Sequence, residues 1–241
     1  MKLIAETSSN GVVEREFRLG DVPGILWTTR PEPGQAPLVL MGHGGGQHKR
    51  APGMVGRAHR LVLDGGFDVV TLDAPAHGGR PRTGLDEREI ALMREAMTAG
   101  EPVGEIVARF NGDLAERAVP EWRAVLDAID PEGPVGYLGI ALATAIGVPL
   151  VAAEPRISAA VLGVFWGETL VETARQITVP IEFLHQWDDE HITRESGLSL
   201  FDAFGSKEKT LHASSGGHAD VPRFEVDSAV RFFSRHLISA G

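Results

Sequence analysis

The sequence predicts an α/β fold with a central, mostly parallel sheet of about eight strands flanked by helices. Short apolar runs alternate with helical stretches along the chain, which is the pattern of a parallel sheet covered by helices. The 241 residues suit one domain with a substantial core, and 43% hydrophobic and 23% charged residues are ordinary globular composition. We therefore expect a single domain over residues 1–241, with a small helical insertion at about 79–121 within it.

Eight runs have strand character. Val12–Leu19 alternates polar and apolar residues and predicts an edge strand, and Gly24–Thr29 can pair with it as a hairpin. The other predicted strands are Leu38–Met41, Phe67–Leu72, Val135–Ile140, Ala159–Val164, Ile181–His185 and Lys209–His212.

Helices are predicted between these strands, over about Gly53–Asp64, from about Leu142, and over Pro222–Ile238. The stretch from Gly79 to Ile129 is longer than a single crossover helix requires. Its first part predicts the insertion, with Asp86 as a candidate helix cap. Its last part, Gly112–Ile129, has one apolar face and predicts the crossover helix.

Composition excludes several functions. Lys and Arg number 23 against 33 Asp and Glu, a formal net charge of -10, which argues against nucleic acid as a partner. Cysteine is absent, so disulfides, thiolate metal sites and a cysteine nucleophile are excluded. No apolar stretch is long enough for a signal peptide or a membrane span, so we expect a soluble, cytoplasmic protein with no membrane partner.

Metal and cofactor signals are also lacking. The nine histidines show no close H-x-x-x-H or H-E-x-x-H spacing, so no metal site is predicted. The glycines at 44–46 lack the G-K-[ST] ending of a P-loop and the spacing of a dinucleotide site, so no cofactor is predicted.

Three strand ends carry residues suited to acyl transfer. Gly139-Ile140-Ala141-Leu142-Ala143 has the frame of a G-x-S-x-G nucleophile elbow, with Ala141 in the nucleophile's position. Asp188 and Asp189 follow a later strand, and His218 follows the last one. The order of nucleophile position, acid and histidine is that of a hydrolytic triad.

A glycine-rich turn supplies candidate oxyanion donors. His43-Gly44-Gly45-Gly46 follows the strand Leu38–Met41, and glycines there let backbone N–H groups face a cleft. The N–H of Leu142, at the start of the elbow helix, would be the second donor.

These motifs together resemble the α/β-hydrolase superfamily, and most closely its dienelactone hydrolase-like and small esterase branch. The resemblance covers essentially the whole chain and is carried by His43–Gly46, Asp73–Gly78, Gly139–Ala143, Asp188-Asp189 and Gly217-His218. It implies a serine hydrolase that cleaves a carboxylic ester, lactone or thioester through an acyl-enzyme.

The resemblance also implies a role for each matching position. Asp189 matches the triad acid, with Asp188 as a close rival, and His218 matches the general base. Gly45 matches the oxyanion position, with Gly46 as its alternative. Ala141 occupies the place of the serine, and Ala143 occupies the place of the last glycine of the elbow.

Three interpretations of Ala141 stay open. We favour an engineered Ser-to-Ala replacement that inactivates the chain, because an intact acid, base and glycine turn make sense only with a nucleophile. The alternatives are a natural non-catalytic binding protein of the same fold, and a serine-independent enzyme in which the Asp–His pair acts as general base, as in lyase or cofactor-free oxygenase chemistry.

Some candidates have two interpretations. His43 and His77 lie in turns and are predicted to be structural. Trp166 and Trp187 each follow a strand end and either line a pocket or cap the core. The expected partner is a small ester, lactone or thioester, and a homodimer is possible. Apolar residues of the insertion, if they face the cleft, favour a moderately hydrophobic substrate; they are Ile90, Leu92, Met93, Met97, Ile106 and Phe110.

Overall fold

A single nine-stranded sheet forms the centre of the computed structural model, which describes residues 1–32 and 34–238. The strands are β1 (Lys2–Ser9), β2 (Val12–Leu19), β3 (Val22–Thr28), β4 (Leu38–Met41), β5 (Asp68–Leu72), β6 (Val135–Leu138), β7 (Ile157–Gly163), β8 (Ile181–Gln186) and β9 (Lys209–Ser214). Their order across the sheet is β1-β2-β3-β5-β4-β6-β7-β8-β9. The predicted α/β architecture is confirmed.

The strand that sequence analysis missed is β1, which forms the edge of the sheet. It pairs antiparallel with β2, so Val12–Leu19 is not the edge strand that its alternation suggested. All eight residues of β1 are exposed, and a strand without a buried face lacks the apolar alternation that marks strands in a sequence. The predicted hairpin between β2 and β3 is confirmed.

The parallel part of the sheet runs from β5 to β9. Neighbouring strands from β5 through β4, β6, β7, β8 and β9 are all parallel. Strands β4, β5 and β6 are buried along their full length, because helices cover both faces of the sheet. Continuous apolar runs therefore predicted these strands well.

Among the residues that the structure describes, seven helices cover the two faces of the sheet. They are α1 (Pro52–Gly65), α2 (Gly84–Ala99), α3 (Gly104–Ile129), α4 (Leu142–Ala153), α5 (Val171–Ala174), α6 (Arg194–Ala203) and α7 (Glu225–Leu237). Apolar residues of α1 and α7 pack in one core layer, and those of α3 to α6 pack in the layer on the opposite face. Helices α5 and α6 were not predicted.

The predicted insertion corresponds to α2 and most of α3. Its expected end near 121 lies inside α3. This helix contains Pro120 and continues without a break to Ile129. The N-cap of α2 is Thr83 rather than Asp86. The Thr83 side chain accepts the amide of Asp86, whose carboxylate accepts the amide of Thr83, so Asp86 is the third residue of a capping box.

Strand order places a candidate site at one edge of the sheet. Strand β4 lies between β5 and β6, so the chain changes direction of winding on either side of it. Ligands in open α/β sheets bind at the carboxyl ends of strands beside such a switch point.

Within residues 1–32 and 34–238, no helix is both long and apolar enough to cross a bilayer.

Candidate active site

The turn between β6 and α4 holds Ala141 in a strained conformation. Its φ is 55° and its ψ is -122°, a region that favours glycine. A Cβ on Gly139 would lie 2.7 Å from the Cβ of Ala143, so the first position of the elbow must be glycine and the last must be small. The turn thus has the sharp geometry of a nucleophile elbow, with a methyl group at its tip.

Buried hydrogen bonds fix this turn. The amide of Ala141 donates to the carbonyl of Gly163 at 3.0 Å, which ties the elbow to the end of β7. The Tyr137 hydroxyl donates to the carbonyl of Ala143 at 2.7 Å. The Thr144 hydroxyl accepts the amide of Gly163 at 2.9 Å. The strained conformation is therefore imposed by several contacts at once.

His43 anchors the glycine-rich turn. The amide of Ala74 donates to its Nε2 at 3.0 Å, so Nδ1 carries the ring proton and donates to the carbonyl of Gly44 at 2.8 Å. Burial lowers the pKa of His43 to about 4. The imidazole is neutral and makes a hydrogen bond at each ring nitrogen, which supports the structural role predicted for His43.

The candidate backbone donors lie on the turns that follow two neighbouring strands, β4 and β6. Because β4 and β6 are adjacent, the turn after β4 lies against α4, and a Cβ on Gly42 would be 2.6 Å from that of Ala143. Leu142 is the first residue of α4, where an amide has no intrahelical acceptor. Gly45, Gly46 and Leu142 line the same cavity as Ala141.

Asp189 and His218 form a hydrogen-bonded pair at the ends of β8 and β9. Nδ1 of His218 lies 2.8 Å from Oδ2 of Asp189. The other carboxylate oxygen accepts the amides of His191 and Ile192, at 2.8 and 2.9 Å. The Asp189 side chain is 1% exposed, so both its orientation and its environment are fixed.

Asp188, the rival acid, does not contact His218. Its carboxylate lies near the Arg194 guanidinium, at 3.3 Å, and accepts the amide of Gly216. The side chain is 56% exposed. Of the two candidates, the structure pairs only Asp189 with the histidine.

The paired groups shift each other's pKa. The hydrogen bond that His218 donates to Asp189 raises the pKa of His218, and burial offsets part of this rise. For Asp189, burial alone would raise the pKa. The hydrogen bonds from His218, Ile192 and His191 outweigh burial, so the pKa of Asp189 is lowered. The acid is therefore ionised and the histidine is a stronger base than usual.

A cavity of about 400 Å³ joins the elbow to the histidine. Ala141, Leu142 and His218 all line it, together with Trp166 and His77. The ring centroids of Trp166 and His218 are 6.4 Å apart. Helices α2 and α3 supply the outer wall, with Ile90, Met93, Met97, Val103, Val107 and Phe110. Ile90, Met93, Met97 and Phe110 were among the apolar residues expected to shape the pocket, whereas Leu92 and Ile106 do not line it.

Trp187 lies outside this cavity. It is 39% exposed, and the guanidinium of Arg194 stacks on its ring, 4.5 Å from the centroid. Of the two tryptophans singled out in the sequence, Trp166 lines the pocket and Trp187 does not.

Two neighbours of Asp189 were missed by sequence analysis. The carboxylate of Glu190 accepts the amide of His218 at 2.9 Å. The ring of His191 lies edge-on to His218, with centroids 5.4 Å apart, and lines the cavity. Their position directly after Asp189 was the available signal.

Comparison with known proteins gives a consistent result. No protein-family model and no curated protein sequence matches the chain. A solved structure of a PEG-bound cold-adapted esterase from an Arctic intertidal metagenomic library is 34% identical, with a TM-score of 0.77, over 98% of this chain and 100% of that chain. A zinc-bound structure of a cold-adapted esterase from such a library is 30% identical with a TM-score of 0.71, over 98% of this chain and 100% of that chain.

A more distant structure has the same fold. Dienelactone hydrolase from Anabaena variabilis is 17% identical, with a TM-score of 0.66, over 93% of this chain and 99% of that chain. Given the 34% identity to the Arctic esterase across both chains, this protein belongs to the small esterases of the α/β-hydrolase superfamily.

Proposed function

We propose that this chain is the Ser-to-Ala form of a serine esterase, with Ala141 in the place of the nucleophile. The observation that carries the proposal is that one cavity is lined by the strained tip of an elbow and by a histidine already bonded to a buried carboxylate. An elbow strained for a methyl group alone has no evident purpose, whereas a hydroxyl at the same Cβ would lie at the cavity that His218 also lines.

In the serine form, the reaction follows from these positions. The free Nε2 of His218 takes the proton from the serine hydroxyl as its oxygen attacks the carbonyl carbon. Asp189 holds the imidazole in the required tautomer and stabilises its positive charge. The amides of Leu142 and Gly45 donate to the developing oxyanion.

The second half of the reaction uses the same base. His218 returns the serine proton to the leaving alcohol as the acyl-enzyme forms. It then removes a proton from the water that attacks the acyl-enzyme, and gives this proton to the serine oxygen as the acid is released. With Ala141 no acyl-enzyme forms. The chain binds substrate, and its residual rate is only about 10³–10⁴ above that in water, as for other hydrolases without their nucleophile.

The substrate we propose is a small, moderately hydrophobic ester, lactone or thioester. Apolar side chains of α2 and α3 form the outer wall of the cavity, which suits an acyl or alcohol group of a few carbons. The guanidinium-bearing residues Arg82 and Arg94 also line the cavity, so a polar or anionic group on the substrate can be accommodated. A homodimer and a cytoplasmic location remain predictions.

The test is the variant Ala141→Ser, assayed with p-nitrophenyl esters of increasing acyl length beside the unmodified chain. We expect ester hydrolysis by the Ser form only, with a burst of p-nitrophenol equal to the enzyme concentration if the acyl-enzyme accumulates. The matched control is Ala141→Ser combined with His218→Asn, which keeps the hydroxyl and removes the base.

Each alternative has its own outcome. If neither form hydrolyses any ester in the panel, and the unmodified chain binds small carboxylic esters by calorimetry, the protein is a binding protein of this fold. If the unmodified chain itself turns over a carbon acid and His218→Ala abolishes that activity, the Asp–His pair works without serine.

A further inference from the structure

A second cluster of ionisable side chains lies on the other face of the sheet. Glu182 in β8 and His212 in β9 point toward α7, whose first residue is Glu225. Leu184 and His212 are partners in the parallel register, and Leu184 belongs to the core layer that α1 and α7 cover. The cluster is therefore separate from Ala141 and His218, and the proposed reaction does not use it.

Ionisable atoms of these three residues lie close together. Nδ1 of His212 lies 2.8 Å from Oε2 of Glu225, and Nε2 lies 3.7 Å from Oε2 of Glu182. One ligand atom from each of the three residues lies within 4.8 Å of the others. Among the described residues, no other group of three such side chains is this close.

One oxygen of the cluster is unsatisfied. Glu182 is 4% exposed, and its Oε1 has no hydrogen-bond partner among the described residues, while Oε2 accepts the hydroxyl of Ser228 at 2.9 Å. Nor does any lysine or arginine in residues 1–32 and 34–238 form a salt bridge with Glu182 or Glu225. Two buried carboxylates thus share a single imidazole, and a buried charge without a partner is costly.

We propose that Glu182 and His212 bind a divalent transition-metal ion, with Glu225 holding the imidazole in place, and Zn²⁺ is the probe. Imidazole nitrogen and carboxylate oxygen are ligands that Zn²⁺ accepts, at about 2.0–2.2 Å. Two such bonds at a tetrahedral angle place their ligand atoms roughly 3.4 Å apart. The 3.7 Å between His212 and Glu182 is too long for a hydrogen bond and close to this value.

Glu225 prepares His212 for this role. A hydrogen bond from Nδ1–H to the Glu225 carboxylate leaves the lone pair of Nε2 free and directed toward Glu182. Carboxylates hold metal-binding histidines in this way, fixing the tautomer and raising the basicity of the ring. The ion also supplies the positive charge that the two carboxylates lack.

The ion has a route to the cluster. Glu225 and Leu184 line a cavity of about 710 Å³ between α1 and α7, and the His212 side chain is 26% exposed. Binding would join β8 and β9 to the first turn of α7. The chain following β8 carries Asp189 and that following β9 carries His218, so the ion would stabilise the two strands behind the proposed acid and base.

The experiment measures Zn²⁺ uptake by the full chain after chelation and equilibrium dialysis, with elemental analysis, and follows the Tm as Zn²⁺ is added. We expect one Zn²⁺ per chain and a higher Tm, because a ligand bound only by the folded state stabilises it. Glu182→Gln keeps the side-chain shape and an acceptor for Ser228 but removes the charge. It should weaken Zn²⁺ binding by at least about tenfold, since even outer partners of a metal ligand are worth that much.

The control is the double variant His191→Ala, His218→Ala, which removes the imidazoles near Asp189 and leaves the cluster intact. It should bind Zn²⁺ as the unmodified chain does. His212→Ala should not bind at this site, and if it fails to fold, Glu182→Gln still decides. The proposal is overturned if Glu182→Gln binds Zn²⁺ as tightly as the unmodified chain does. It is also overturned if the unmodified chain takes up no Zn²⁺, in which case the cluster is only a His212-bridged ion pair.

Discussion

Nδ1 of His218 lies 2.8 Å from Oδ2 of Asp189, and the same carboxylate receives two backbone amides on its other oxygen. The acid cannot rotate without losing these amides, so it holds the imidazole in one orientation and one tautomer. Asp188, one residue earlier, has no such contact with His218. Two adjacent aspartates with different contacts allow a closely matched test.

In the Ala141→Ser background, Asp189→Asn should lower kcat by about 10⁴-fold, the size of loss when a triad acid becomes an amide and the histidine takes the wrong tautomer. Asp188→Asn removes an equal charge one residue away and should leave kcat within about twofold, because an exposed ion pair such as that with Arg194 contributes little. The measurement is steady-state hydrolysis of a short p-nitrophenyl ester. Equal losses in the two variants would show that the paired geometry is not the catalytic one.

The pH dependence of the Ser form should report His218. The base must be neutral to accept the serine proton, so activity falls as the pH drops through the pKa of His218. Since the hydrogen bond that His218 donates to Asp189 raises this pKa, kcat/KM should rise with pH through an inflection above the ordinary histidine value. The inflection should be unchanged in Asp188→Asn. An inflection at or below the ordinary value would mean that burial, rather than the carboxylate, controls the imidazole.

We expect Ala141 to lower the stability of the folded state. A residue other than glycine at φ 55° and ψ -122° costs about 1–3 kcal/mol, whereas glycine adds about 0.5–1 kcal/mol of chain entropy to the unfolded state. Ala141→Gly should therefore raise the free energy of unfolding by about 1 kcal/mol, and Ala141→Ser should leave it nearly unchanged. Denaturant titration measures both.

The comparison for that variant is Ala91→Gly, at an exposed position in the interior of α2. A helical alanine replaced by glycine should lose about 1 kcal/mol. Opposite signs at positions 141 and 91 would place the strain at the elbow. Two changes of the same sign would indicate that the elbow is relaxed and that alanine there has no energetic cost.

Sequence patterns were sufficient to predict elements whose burial leaves a clear apolar pattern. Strand β4 was predicted with both ends correct, and the order of elbow, acid and histidine placed Ala141, Asp189 and His218 on one edge of the sheet. The hydrogen-bond partners of the site residues could not be predicted from the sequence in the same way. Asp188 and Asp189 are identical in type, and only the turn after β8 decides which one faces His218.

Other features left no readable signal. The exposed β1 has no apolar face, and the short α5 and α6 do not repeat often enough to show a helical period. Val164 has a φ of 53°, a rare conformation for a β-branched residue, and the neighbouring residues in the sequence do not predict it. The Glu182–His212–Glu225 cluster joins three separate elements, so no local spacing of metal-ligand type marks it.

His43 should make the protein less stable in acid. Its pKa is about 4 in the folded chain because the ring is buried, against an ordinary value of 6.5. Between these values the unfolded chain binds a proton that the folded chain does not, so stability is full above pH 6.5 and is lost as the pH falls toward 4. The shift corresponds to a loss of about 3 kcal/mol.

His43→Gln removes the titrating group and retains an acceptor for the amide of Ala74, so its free energy of unfolding should vary less with pH across this range. His48→Gln changes an exposed histidine five residues away and should reproduce the unmodified profile. Denaturant titrations at pH 4, 5, 6 and 7 compare the three proteins, and parallel curves for His43→Gln and the unmodified chain would mean that the ring is protonated in the folded state. That result would also remove the hydrogen bond from the Ala74 amide to Nε2, since a protonated ring has no acceptor nitrogen.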